Sequence, residues 1–185
     1  MGKKLLVTGG AGFVGSWLVR EAVGRGYEVD ALDAFRGGLY PESEKVRRAN
    51  TLRAELGVEI QKIDLLNPEK LDVNADFVVH AAAMPGLDYS WKEPGQYIAD
   101  NEMASLNLIQ AMLRSQPERF IHISTSSVYG VTATGSEASV TNPISPYGYT
   151  KLAAENLVKL YLEDKISYSI TRLFSVYGPE QRPDM

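Results

Sequence analysis

Three groups of residues in this chain have types and spacings that do chemistry. The first is Tyr147-Gly148-Tyr149-Thr150-Lys151, with a tyrosine and a lysine four positions apart. On a helix such positions share a face. A neighbouring ammonium favours the phenolate, lowers the phenol pKa from about 10, and makes tyrosine a usable base near neutrality. Tyr161 and Lys165 repeat the spacing. They fall at the far end of the same predicted helix, away from the strand ends where ligands bind in a parallel sheet. The second group is the hydroxyl run Ser124-Thr125-Ser126-Ser127, closing a predicted strand. One of its hydroxyls could bond the same substrate oxygen that Tyr147 deprotonates.

The third group is Thr8-Gly9-Gly10-Ala11-Gly12-Phe13-Val14-Gly15, directly after Leu5-Leu6-Val7. A strand running into a glycine-rich turn and then a helix suits a dinucleotide pyrophosphate. Glycine allows the tight turn and a close backbone approach, and the helix N-terminus offers N–H groups to the anion. Two spacings fit at once: Gly10, Gly12 and Gly15, or Gly9, Gly12 and Gly15. The flanking strand and helix are what make the pattern informative. Asp33 ends the next predicted strand, 18 residues after Gly15. A carboxylate there accepts from ribose hydroxyls and repels a 2′-phosphate, so it favours NAD over NADP, although Arg36 lies nearby. Asp64, after the third predicted strand, could contact adenine or cap a helix.

The elements that must position these groups alternate. Strands are predicted at 4–8, 28–33, 58–62, 76–80, 119–124 and 167–172, and helices at 13–24, 42–56, 94–115 and 146–163. Phe77-Val78-Val79 and Phe120-Ile121-His122-Ile123 are near-continuous apolar runs, as strands buried on both faces require. Ser145-Pro146 is a good cap and first-turn pair for the last helix. The expectation is an α/β doubly wound parallel sheet, the Rossmann fold. The charged stretch from Arg36 to Glu55 reads as a solvated face.

Composition narrows the function. A chain of 185 residues fits one domain, with ordinary charge and hydrophobic content. The net charge of −4 argues against a protein built to grip nucleic acid. The absence of cysteine excludes a disulfide framework and suits a reducing cytoplasm. No apolar run is long enough to span a bilayer, so no membrane role is expected. His80 and His122, both in predicted strands, make a poor metal site without cysteine. No G-x-S-x-G elbow supports a hydrolase.

Taken together, the motifs resemble those of the extended short-chain dehydrogenase/reductases, the NAD-dependent nucleotide-sugar epimerase/dehydratase family. Besides the three groups, the resemblance rests on His80-Ala81-Ala82-Ala83, Asp100-Asn101, and Arg172-Leu173-Phe174-Ser175-Val176-Tyr177-Gly178-Pro179. It implies that Phe13 and Val14 offer amides to the pyrophosphate, that Asp33 holds the ribose, and that Asp64 and Leu65 line the adenine. It further implies that Ala81, Ala82 and Ala83 pass under the cofactor and that Asn101, counted with the cofactor-binding residues, supports the site through hydrogen bonds. Lys151 would bind the nicotinamide ribose, and Thr125 would partner Tyr147. Phe174 and Ser175 would meet nicotinamide and substrate. Epimerases often carry Asn at the latter position. Uronic-acid epimerases are more similar there and in Arg182-Pro183-Asp184-Met185. Related dehydratases place Asp-Glu after the catalytic threonine, where this chain has Ser126-Ser127, so dehydration is disfavoured.

The resemblance implies a UDP-hexose or UDP-hexuronate 4-epimerase with NAD as cofactor and a nucleotide sugar as substrate. The alternatives are a truncated, non-catalytic NAD-binding module and, further off, a dehydratase or reductase. Residues 1–172 would form the NAD-binding domain and 173–185 the start of a largely absent substrate-binding region. A homodimer is expected through helices 94–115 and 146–163, with Leu106, Ile109, Leu113, Leu157 and Leu160 as candidate contacts.

Overall fold

A computed structural model describes residues 2–39 and 41–181. Six strands form one sheet: β1 (Lys4–Thr8), β2 (Glu28–Asp33), β3 (Ile60–Lys62), β4 (Phe77–His80), β5 (Arg119–Thr125) and β6 (Ser167–Leu173). Every pairing is parallel and the order is β3-β2-β1-β4-β5-β6. This is the doubly wound Rossmann arrangement, in which the winding reverses between β1 and β4. Strand side chains alternate between faces. Leu6 joins Val78 and Phe120 on one face, under the helices that carry Leu108, Met112 and Val158. Val7 joins Ala31 and Ile60 on the other, under Val19 and Leu52.

Among the described residues the α-helices are α1 (Phe13–Gly24), α2 (Glu42–Leu56), α3 (Leu87–Lys92), α4 (Pro94–Tyr97), α5 (Ala104–Ser115) and α6 (Pro146–Leu162). Most predicted bounds hold within a residue or two. The third strand pairs only over Ile60–Lys62, although Val58 is also buried. Two departures matter for the site. The single helix expected over 94–115 is broken into α4, a π-helical turn at Ile98–Met103, and α5. The short helix α3 was not foreseen at all.

The glycine turn resolves the two competing spacings. Gly9 has φ +73°, and a Cβ there would lie 2.7 Å from the Ala82 backbone. A Cβ on Gly15 would lie 2.0 Å from the Gly9 carbonyl oxygen. Gly9, Gly12 and Gly15 are therefore the constrained set. Gly10 has no positive φ, and its closest neighbours are side-chain atoms of Ala31 and Ile60.

The charged stretch 36–55 is not simply a solvated face. Arg48 on α2 is only 3% exposed. Its guanidinium donates to the Glu180 carbonyl at 2.8 Å and to the Ala11 carbonyl at 3.4 Å, and it pairs with the Glu180 carboxylate. Trp17 Nε1 donates to the Pro179 carbonyl at 3.2 Å. The chain after β6 thus returns across the carboxyl edge of the sheet and is pinned to α1 and α2. Arg182-Pro183-Asp184-Met185 lie outside the described residues.

Candidate active site

At the carboxyl ends of the strands, beside the β1/β4 switch, lies a cavity of about 580 Å³. Its floor is the glycine turn, with Gly9, Gly12, Phe13, Val14 and Gly15 all exposed to it. Gly12 caps α1 without any side-chain hydrogen bond, and no acidic residue occupies the helix's first turn. Such a helix end is open to an anion. Ala81, Ala82 and Ala83 follow β4 along one wall, and Asp64 and Leu65 follow β3 along another.

Asp33, closing β2, lies at one end of this cavity, 4% exposed. Its carboxylate accepts from the Ala11 amide at 3.2 Å and the Phe35 amide at 2.7 Å, and from Lys45 Nζ at 3.0 Å. Lys45 is a site residue the sequence reading missed; only its place on α2, facing the end of β2, could have flagged it. Asp64 is not the helix cap it could have been, since the next helical turn, Pro68–Lys70, is entered at Asn67. It lines the cavity and accepts from the Leu66 amide at 2.9 Å. Arg36 bridges Asp64 and Asp100. Burial alone would raise the Asp64 pKa, but Arg36 and the Leu66 amide outweigh it and hold the carboxyl below its usual value. Asp100 is shifted upward by burial.

The opposite end carries the tyrosine and lysine. Ser145 caps α6, accepting from the Gly148 amide at 3.1 Å, and Pro146 opens its first turn. Tyr147 and Lys151 both line the cavity, together with Thr125 at the end of β5. Lys151 is 3% exposed and donates to the Ile123 carbonyl at 2.7 Å. Burial pushes its ammonium down to about 8, against a smaller upward pull from Glu155. Thr125 Oγ1 accepts from the Ser127 amide at 3.1 Å. The Tyr147 ring meets the Tyr97 ring edge-on, with centroids 6.2 Å apart. Tyr161 sits at the far end of α6, and Lys165 lies beyond it.

Asn101, expected among the cofactor-binding residues, does not line the cavity: it stands behind the wall, 1% exposed. Its Oδ1 accepts from the Met84 amide at 2.7 Å. Its Nδ2 donates to the Met84 carbonyl at 3.2 Å and to Thr150 Oγ1 at 3.0 Å. It therefore ties the loop lining the cavity to α6. A second buried support was not foreseen. Glu155 on α6 is fully buried and accepts from Ser124 Oγ at 2.6 Å and from Arg172 at 2.9 and 2.7 Å. It braces the residue beside Thr125. Phe174 and Ser175 also reach the cavity, just after β6.

The two histidines are strand residues of the core, and no group of metal ligands occurs among the described residues. Burial, followed by the Lys151 charge, depresses His80 to about 3. The same causes, with His80 added, push His122 well below its usual value. Neither ring nitrogen of His122 has a hydrogen-bond partner. Below pH 6.5 the unfolded chain binds protons that the folded chain refuses. Stability present above that pH is therefore lost as pH falls towards 3. His80 costs about 1.4 kcal/mol of stability per pH unit in that window, and His122 acts in the same direction. Urea unfolding at pH 7 and pH 5 is expected to show a loss of about 2 kcal/mol from His80, with His122 adding to it in the same direction. Equal stability at both pH values contradicts the burial of two neutral imidazoles.

Residues 5–185 match the model of the NAD dependent epimerase/dehydratase family. The chain belongs to that family. It is 38% identical over 188 residues to an uncharacterized UDP-glucose epimerase, YtcB, of Bacillus subtilis, covering 98% of this chain and 59% of that protein. It is 40% identical to the UDP-glucuronic acid 4-epimerase of Bacillus cereus, solved with UDP-glucuronic acid and NAD. The TM-score is 0.90, covering 98% of this chain and 60% of that one. A dTDP-glucose 4,6-dehydratase of Streptomyces venezuelae, solved with NAD, is 29% identical, with a TM-score of 0.85 and coverage of 98% and 59%. The chain spans about three fifths of the length of each of these relatives. Among the described residues of this family member, no helix is long and apolar enough to cross a membrane.

Proposed function

We propose that this chain carries the NAD site and the proton-transfer residues of a nucleotide-sugar 4-epimerase, acting on a UDP-hexose or UDP-hexuronate. One observation carries the reading: Thr125, Tyr147 and Lys151 converge on the same cavity whose floor is an open helix N-terminus and whose far end holds Asp33. The residues fit a dinucleotide. The Gly9–Gly15 cradle has no room for a Cβ at either end, and Asp33 presents a buried acceptor. Phe13 and Val14 amides would hold the pyrophosphate, Asp33 the adenosine ribose, and Lys151 the nicotinamide ribose. Bound NAD supplies the hydride acceptor and, in the return step, the donor. Tyr147 removes the 4′-hydroxyl proton as C4 gives up its hydride, leaving a 4-keto sugar. Thr125 hydrogen-bonds the same oxygen. Once the keto sugar presents its other face for re-reduction, Tyr147 returns the proton.

A panel of UDP-hexoses and UDP-hexuronates tests this, with reduced-cofactor absorbance and epimer formation followed together. The expected result is epimer formation from one or more sugars, with calorimetry showing tighter binding of NAD than of NADP. Since the chain spans three fifths of its relatives, a second reading is a binding module without catalysis. NAD binding without any epimer favours that module. Absence of NAD binding overturns both.

We also propose a homodimer through α5 and α6. Ile109 is fully buried in the core and drops out of the candidate contacts, and Leu113 and Leu157 pack partly buried against that core, but Leu160 and Tyr149 on α6 are 74% and 61% exposed and Met103, just before α5, is 48% exposed. Light scattering at micromolar concentration is expected to give twice the chain mass, and a monomer contradicts the proposal.

A further inference from the structure

We propose that His80 is a positioning residue: as its Nε2–H tautomer it fastens the π-helical turn to the end of β1 and so holds Asn101 in place between cavity loop and catalytic helix. The tautomer follows from donor counting. Ser105 Oγ donates to the Asn101 main-chain carbonyl at 2.6 Å. A carbonyl only accepts, so the single Ser105 hydrogen is committed there. His80 Nε2 lies 2.9 Å from that same Ser105 Oγ, and it must therefore be the donor. A neutral imidazole with a protonated Nε2 accepts at Nδ1. Thr8 Oγ1, 2.7 Å from Nδ1, donates there while accepting from the Ala82 amide at 3.2 Å. The deep burial that keeps this ring neutral agrees with the assignment.

The bonds form one directed chain. It runs from Thr8 through His80 and Ser105 to the Asn101 carbonyl. From there the Asn101 side chain bonds Met84 and Thr150, and Thr150 Oγ1 donates to the Tyr147 carbonyl at 3.0 Å. The glycine turn, the residue beneath the cofactor and the first turn of α6 are thus linked through one imidazole that touches none of the cavity. A π turn is a rare form that recurs at functional sites. Here the Ser105–His80 pair satisfies one of its carbonyls.

The inference toward NAD rests on the dinucleotide reading of the cavity, so the test has a readout independent of it. In ¹⁵N NMR of the unmodified chain, His80 is expected as the neutral Nε2–H form. His80→Gln carries a side-chain N–H to the Nε2 position, whereas His80→Asn reaches only the Nδ1 position. The Asn101 side-chain amide resonance is expected to stay in place in His80→Gln and to move in His80→Asn and Ser105→Ala. NAD affinity, by calorimetry, is expected within about threefold of the unmodified chain in His80→Gln and about tenfold weaker in the other two, the scale of one buried hydrogen bond. An Nδ1–H tautomer overturns the proposal. So does an unmoved Asn101 amide in both His80→Asn and Ser105→Ala. If the unmodified chain binds no NAD, the dinucleotide reading fails, while the tautomer and the amide still decide the role of His80.

Discussion

Tyr147→Phe is expected to lower epimerisation by about 10²–10⁴-fold, the scale of a lost general base. NAD affinity should stay within about threefold, since no charge-assisted bond to the cofactor is removed. The reasoning is geometric. The substitution removes one oxygen and leaves the ring, so the edge-on contact with Tyr97 and the first turn of α6 are retained. Tyr161→Phe, with the same spacing to a lysine, should leave the rate unchanged because Tyr161 lies at the other end of α6 and does not line the cavity. The measurement is initial rate against substrate concentration for both variants, with calorimetry for NAD. Full activity in Tyr147→Phe overturns the assignment of the base.

Lys151→Met is expected to do two opposite things. NAD affinity and activity should fall by an order of magnitude or more, the worth of a charge-assisted hydrogen bond of about 1.5–3 kcal/mol. Thermal stability should rise. Burial lowers the Lys151 ammonium from 10.5 to about 8, so holding it charged at pH 7 costs on the order of 3 kcal/mol. Methionine avoids that penalty and fills similar space, but it gives up the bond to the Ile123 carbonyl, worth about 1 kcal/mol. The net gain is about 1–2 kcal/mol, a few degrees in Tm for a domain of this size. The sign also predicts a pH signature. The stability of the unmodified chain rises between about pH 8 and 10.5 as the folded lysine discharges first, so the advantage of Lys151→Met shrinks there. A Tm for Lys151→Met below that of the unmodified chain at pH 7 contradicts the buried charge.

Much of this was legible in the chain. Apolar runs and punctuation located the sheet because buried parallel strands and their turns are written locally, as in Phe77–His80 and Thr8–Gly15. Tyr147 and Lys151 were legible because a helix fixes their relation. What was hidden depends on contacts distant in sequence. The π turn interrupts a pattern that reads as unbroken helix, and it is held by bonds from Asn101 to Met84 and Thr150. Arg48 sits in a run of charges, and its partner Glu180 lies 132 positions away. Lys45 gains meaning only once α2 packs beside the end of β2. The choice between Gly9 and Gly10 depended on the Ala82 backbone, which no local spacing encodes.

That last contact bears on how the chain folds. Gly9 takes its shape against Ala82, and Thr8 is bonded to Ala82 across 74 positions. Parallel strands cannot pair through a hairpin, so β1 must wait for β4, and long-range pairings of this kind form slowly. The glycine turn therefore closes only when the centre of the sheet does. A partly folded chain with β1, α1 and β2 in place has the residues of the glycine turn and Asp33 but not their geometry. NAD would then hold the completed sheet against unfolding by mass action without recruiting earlier intermediates.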